Sequence, residues 1–145
     1  EAYIGENDPA CHAAHGKTPR NQVMYRSAGH LYVYFTYGMY HCANIVTERE
    51  GFPAAVLLRA IEPLRGRDLM LTRRKREPLA NGPGKLCIAL GMTRQSHNGL
   101  DLCESNECFV GDDGSPISAL KTSSRIGIRV GKNKPWRFYL PAGER

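Results

Sequence analysis

The stretch LYVYFTYGMYHCANIVT, residues 31–47, constrains the fold more than any other part of the chain. Runs rich in Tyr, Val, Phe and Ile flank Tyr37-Gly38, and such residues fit a pleated, half-buried surface. The pattern predicts strands over 30–37 and 39–47, joined by a hairpin turn at Tyr37-Gly38. Four of the seven tyrosines, Tyr32, Tyr34, Tyr37 and Tyr40, fall in this hairpin. Tyrosines in strands usually pack into cores or surfaces. A ring at an exposed tip buries little of itself, yet stacked between bases it gains ~1–3 kcal/mol, which sets Tyr37 apart.

The rest of the chain supplies more strands than helices. AAVLLRAI, 54–61, is an apolar run broken only by Arg59, as in a strand buried on both faces, so Arg59 requires an anionic partner or a ligand-facing position. RIGIRV, 125–130, and WRFYL, 136–140, alternate like strands joined by the basic GKNKP turn. GPGKLCIALGM, 82–92, has Pro and Gly ahead of a helical apolar pattern and Gly after it. It predicts a short helix whose positive end, near Lys85, is a seat for phosphate. Residues 64–76 read as a basic helix or loop, and 1–20 as a strand end running into an irregular segment with a short helix near 10–14. The fold class that follows is α+β: a mixed, mainly antiparallel sheet with peripheral helices.

A chain of 145 residues suits one domain, 1–145, and its formal charge of +6 favours a polyanionic partner, nucleic acid before an acidic membrane. No apolar run is long enough to cross a bilayer, and the chain reads as soluble. Neither a GxGxxG nor a P-loop pattern occurs, so no nucleotide cofactor is expected. Five cysteines without regular spacing suit reduced thiols, with only a weak case for pairing Cys103 with Cys108. CHAAH, 11–15, brings Cys11, His12 and His15 together, but a structural zinc site needs four ligands in recognisable pairs. Polar loop residues are the better account, with His12 retained as a hydrogen-bonding group of fixed tautomer. The basic segment from Arg65 to Arg76 fits a solvated face and a nucleic-acid contact equally well.

EAYIG, TPRN, LYVYFTYGMYHCAN, VLLRAIEP, GPGKLC and RIGI followed by PWRFY, in this order through nearly the whole chain, resemble the alkyladenine (3-methyladenine) DNA glycosylase family. The resemblance implies a compact α+β domain that inserts a β-hairpin into the DNA minor groove and hydrolyses the bond between a damaged purine and deoxyribose. Carried over by position, Glu1 is the general base that activates water, and Arg59 is the arginine beside Glu1 and that water. Tyr3, His12 and Tyr34 sandwich and hydrogen-bond the extruded purine, and Asn44 discourages unmodified guanine. Tyr37 intercalates, and Met39 and Tyr40 lie along the groove. Lys85 is the favoured phosphate contact. No lysine matches a nucleophile, so a monofunctional hydrolase without a lyase step is expected, with no cofactor and no metal.

The implied partner is double-stranded DNA containing alkylated or deaminated purines, bound by a monomer acting in base excision repair. The compartment is the nucleus in a eukaryote and the cytoplasm in a bacterium. Family members carry several tens of residues ahead of EAY, so a chain incomplete at its N-terminus is expected, and its PAGER end falls short of the family's final segment. The alternatives are a DNA- or damage-binding fragment without catalysis and, on CHAAH, a metal-dependent hydrolase.

Overall fold

A computed structural model describes all residues except Asp113, Ser115, Ser118 and 142–145; the last four belong to the PAGER end, which thus lies largely outside the described residues. Strands β1 (Ala2–Ile4), β2 (Leu31–Thr36), β3 (Tyr40–Val46) and β4 (Ala54–Leu57) form one sheet in the order β1-β4-β3-β2. Strands β5 (Lys121–Ser123) and β6 (Arg137–Tyr139) form a second, two-stranded sheet. Every strand pair among the described residues is antiparallel. Helices α1 (Arg67–Arg74), α2 (Pro83–Leu90) and α3 (Arg94–His97) complete an α+β architecture.

The period of two along β2 and β3 divides the molecule. Leu31 and Val33, with Ala43 from the facing strand, point to one side and pack with Leu86, Cys87 and Ala89 of α2. Tyr32 and Val46 point to the other and pack with Cys11, Ala13, Val23, Met24 and Ala55. The sheet is therefore covered on both faces. The β2 edge is closed as well: Leu31 N–H donates to Leu100 O (2.8 Å) and Val33 N–H to Asn98 Oδ1 (2.9 Å).

The predicted hairpin forms, with registers Thr36↔Tyr40 and Tyr34↔Cys42. Tyr37 (φ 53°) and Gly38 (φ 66°) both have left-handed backbones, the φ signature of a type I′ turn, and Met39 N–H donates to Thr36 O (3.2 Å). The predicted helix at 82–92 also forms, with Pro83 in its first turn and Gly91 (φ 71°) as its left-handed cap.

Three expectations are corrected. Residues 10–14 make successive turns rather than a helix, with Cys11 N–H on Asp8 O, Ala14 N–H on Cys11 O and Gly16 N–H on Ala13 O. RIGIRV is not a strand: β6 pairs with residues 121–123 instead. Its polar groups go elsewhere, since Arg125 is buried against Asp8 and the Ile126 N–H is held by Glu1 Oε1. Strand β4 stops at Leu57 rather than running to Ile61, because the Ile61 N–H turns away to Ala80 O (3.2 Å). All five cysteines are free, Cys103 and Cys108 included.

Candidate active site

The sheet face that carries Tyr32, Tyr34, Thr36, Cys42 and Asn44 is the wall of a pocket of about 300 Å³. Tyr3 and Leu57 come from the adjoining strands, Ala10 and His12 from the turn segment, and Ile126, Gly127 and Ile128 from the loop that was expected to be a strand. Tyr37 and Arg59 also line it. The volume lies at the small end of ligand-binding cavities.

Glu1 enters through the sheet. Its nitrogen donates to Leu57 O (2.9 Å) and its carbonyl accepts the Leu57 N–H (2.8 Å), the reciprocal bonds of an antiparallel pair. The side chain is fully buried, 0% exposed, and its carboxylate is triply held. Oε2 accepts the Tyr3 hydroxyl (2.9 Å) and Arg59 Nη1 (3.1 Å), while Oε1 accepts the Ile126 N–H (2.7 Å). Arg59 thus has the anionic partner that its apolar surroundings demanded. The carboxylate is thus held by three residues that line the pocket, Tyr3, Arg59 and Ile126, while Glu1 itself lines a neighbouring cavity together with Leu57 and Arg59. Burial, followed by the charge and hydrogen bond of Glu1, pushes the Tyr3 phenol far above its ordinary value, so Tyr3 donates to the carboxylate.

His12 and Tyr34 form the aromatic part of the wall, ring centroids 4.5 Å apart and edge to face. His12 Nδ1 lies 2.9 Å from the Tyr32 hydroxyl. Loss of water around the ring, and then the positive charge of Arg20, lower the His12 imidazole to about 4. It is neutral at physiological pH, so it can both donate and accept. Burial, then Cys42 opposite on β3, raises the Tyr34 phenol, and the Arg20 guanidinium lies 5.4 Å from the Tyr34 ring centroid. Asn44 is 4% exposed and donates through Nδ2 to Tyr32 O (3.1 Å).

Outside the pocket, Tyr37 is 82% and Met39 64% exposed, with Tyr40 less open. Tyr40 faces the first turn of α2, where a Cβ on Gly84 would meet its ring at 3.1 Å. Lys85, in that turn, donates to Asn81 Oδ1 (2.8 Å). No group of three or more His, Cys, Asp or Glu among the described residues is arranged to hold a metal ion, and His15 is exposed away from the pocket lining.

The fold therefore brings Tyr3, His12, Tyr34, Asn44, Arg59 and Tyr37 around one pocket, with Glu1 outside its lining but bonded to Tyr3 and Arg59, and leaves Met39, Tyr40 and Lys85 on the outer surface. Sequence reasoning missed the closing loop Ile126–Ile128, the Arg20 contact with Tyr34, and the buried pair Asp8–Arg125. The alternation in RIGIRV masked the loop, and Arg125, which follows the polar KTSS directly, lacked the apolar flanks that singled out Arg59.

A sequence model described as methylpurine-DNA glycosylase matches residues 1–144. Proteins named "Putative 3-methyladenine DNA glycosylase" from Methanocella arvoryzae and Rickettsia rickettsii are 51% and 50% identical, covering 96% and 97% of this chain and 72% and 70% of theirs. One from Sodalis glossinidius is 51% identical over 95% of this chain and 75% of its own. Matched over residues 1–144, the chain belongs to the methylpurine-DNA glycosylase family.

Proposed function

We propose that this chain is a monofunctional DNA glycosylase, acting as one domain over 1–145, that hydrolyses the N-glycosidic bond of alkylated or deaminated purines and leaves an abasic site. The observation that carries this reading is the buried Glu1 carboxylate, braced by Tyr3, Arg59 and the Ile126 amide, three residues that line an aromatic pocket beside an exposed hairpin tyrosine. Family membership supports the reaction class.

On this reading the hairpin enters the minor groove and Tyr37 fills the stack vacated by the extruded nucleotide. Flipping costs a few kcal/mol, least at a damaged or poorly paired base, and the inserted ring offsets part of that cost. The purine stacks within Tyr3, His12 and Tyr34, and Asn44 disfavours the exocyclic amine of guanine. A cationic lesion gains cation–π attraction of ~0.5–2 kcal/mol per ring. Water attacks the anomeric carbon as the purine leaves with the bonding electrons. Glu1 accepts the water proton, and its negative charge stabilises the oxocarbenium-like sugar. Arg59 keeps the carboxylate oriented. Lys85 and the start of α2 hold phosphate without reading sequence.

The test is base release from duplexes carrying 3-methyladenine-type, hypoxanthine or ethenoadenine lesions. Alkali-dependent strand scission by the parent chain, abolished in Glu1→Gln, is the expected result. An unchanged rate in Glu1→Gln rejects Glu1 as the base, and damage-specific binding without release favours the non-catalytic alternative.

A further inference from the structure

Asp8 and Arg125 form a pair to which the proposed reaction assigns no task. Both side chains are 0% exposed and meet two to two, Nη1 to Oδ2 at 2.5 Å and Nη2 to Oδ1 at 2.8 Å. The other lone pairs are used too: Asp8 accepts the Ile4 N–H (3.3 Å) and the Ala10 N–H (3.2 Å). Arg125 also donates to Ala2 O (3.0 Å) and Gly131 O (3.4 Å), with its guanidinium 4.7 Å from the Tyr3 ring centroid and 5.2 Å from that of Trp136. Taking two charges out of water is costly, and a buried ion pair gains little net stability over an apolar replacement. Its geometry places it between two segments that matter: β1, which carries Tyr3 and directly follows Glu1, and the loop whose next residue, Ile126, donates to Glu1 Oε1 at 2.7 Å.

We propose that Asp8 and Arg125 are a positioning pair: by locking the Ile126–Ile128 loop onto β1, they hold the Ile126 amide against Glu1 and so orient the carboxylate, without touching DNA. This rests on reading Glu1 as the base. Burial alone would raise the Asp8 carboxyl, but hydrogen bonds from Arg125 and the backbone bring it below its ordinary value, so the pair stays ionised at neutral pH. When the pair is cut, the loop loses its anchor, Oε1 loses its amide donor and the carboxylate is free to turn. Misplacement of a reacting group by about 1 Å costs on the order of 100-fold.

The test uses the full chain with Asp8→Asn, Asp8→Glu and Arg125→Lys. It measures single-turnover base release at saturating enzyme, affinity for the same hypoxanthine duplex, and the Ile126 amide resonance by NMR. Asp8→Asn is expected to slow release roughly 10- to 100-fold with affinity held within about twofold, as for loss of orientation alone, while the Ile126 amide proton moves upfield. Asp8→Glu recovers part of the rate. Arg125→Lys keeps the charge but loses the fork, so it follows Asp8→Asn and carries the test if that variant does not fold. An unmoved Ile126 amide, an unchanged rate, rate and affinity falling in step, or the unfolding of every variant overturns the proposal. Glu1→Gln separates the two failures. If it is inactive while Asp8→Asn is unaffected, only the pair is rejected; if it is active, the base assignment falls, and the Ile126 resonance still reports on the pair.

Discussion

Tyr37 and Tyr32 sit five positions apart in the hairpin and have opposite surroundings, one 82% and the other 1% exposed. Tyr37→Ala is expected to cost ~1–3 kcal/mol of lesion affinity, the worth of one stacked ring, measured by titration of a damaged duplex. Its thermal stability should hardly move, because the ring is largely exposed. Tyr32→Phe has a different consequence from that of a purely structural tyrosine. It removes the hydroxyl 2.9 Å from His12 Nδ1, so it is expected to cost ~0.5–1.5 kcal/mol of stability and to release the His12 tautomer, visible in the ring nitrogen shifts.

Between elements, the contact that aims the hairpin is α2. One face of α2 buries Leu86, 0% exposed, with Leu31, Val33 and Ala43 from the hairpin strands. Leu86→Ala should cost about 2–5 kcal/mol of unfolding free energy in urea, the range for a buried leucine whose cavity cannot collapse. The same helix touches the hairpin through Gly84, where a Cβ would lie 3.1 Å from the Tyr40 ring. Gly84→Ala is therefore expected to displace Tyr40 and lower DNA affinity more than it lowers melting temperature, measured on the same preparation. Had the hairpin been a free-standing ribbon, neither change would reach it.

For the molecule as a whole, charge sets the response to pH and salt. The His12 imidazole is lowered by desolvation and then Arg20, so between the ordinary histidine value and about 4 the unfolded chain binds the proton that the folded one refuses. Stability should therefore fall as pH drops through this window, and His12→Gln should flatten that part of a urea-midpoint profile. Asp8 has the opposite sign of charge but the same direction of effect. Its lowered carboxyl contributes stability that is present above the ordinary aspartate value and lost as pH falls below it, a second, more acidic decline missing in Asp8→Asn. Of the basic residues around α1, Arg67 pairs with Glu77 (2.6 Å), Arg73 donates to Ala89 O (3.1 Å) and Arg74 to Pro78 O (3.3 Å). Lys85→Gln, on α2, should reduce the slope of log affinity against log salt by about one, uniformly across DNA sequences.

The sequence by itself determined the elements whose signals are local. Alternating aromatic and β-branched residues around Tyr37-Gly38 made the hairpin, Pro83 and Gly91 bounded α2, and the side-chain types of Glu1, Arg59, Tyr3, His12, Tyr34 and Asn44 were legible through resemblance to one family. What only the tertiary structure decided depends on partners far along the chain. RIGIRV has the alternation of a strand, yet Arg125 is drawn to Asp8, 117 residues away, and the Ile126 amide to Glu1, 125 residues away. A buried charge with a bidentate partner outweighs the modest preference of a short segment for a ladder, so residues 125–128 close the pocket as a loop, and β5 at 121–123 takes the place beside β6. Local pattern specifies which backbone conformation is favoured; where a polar group must be satisfied in the interior, the position of its partner in the folded chain prevails.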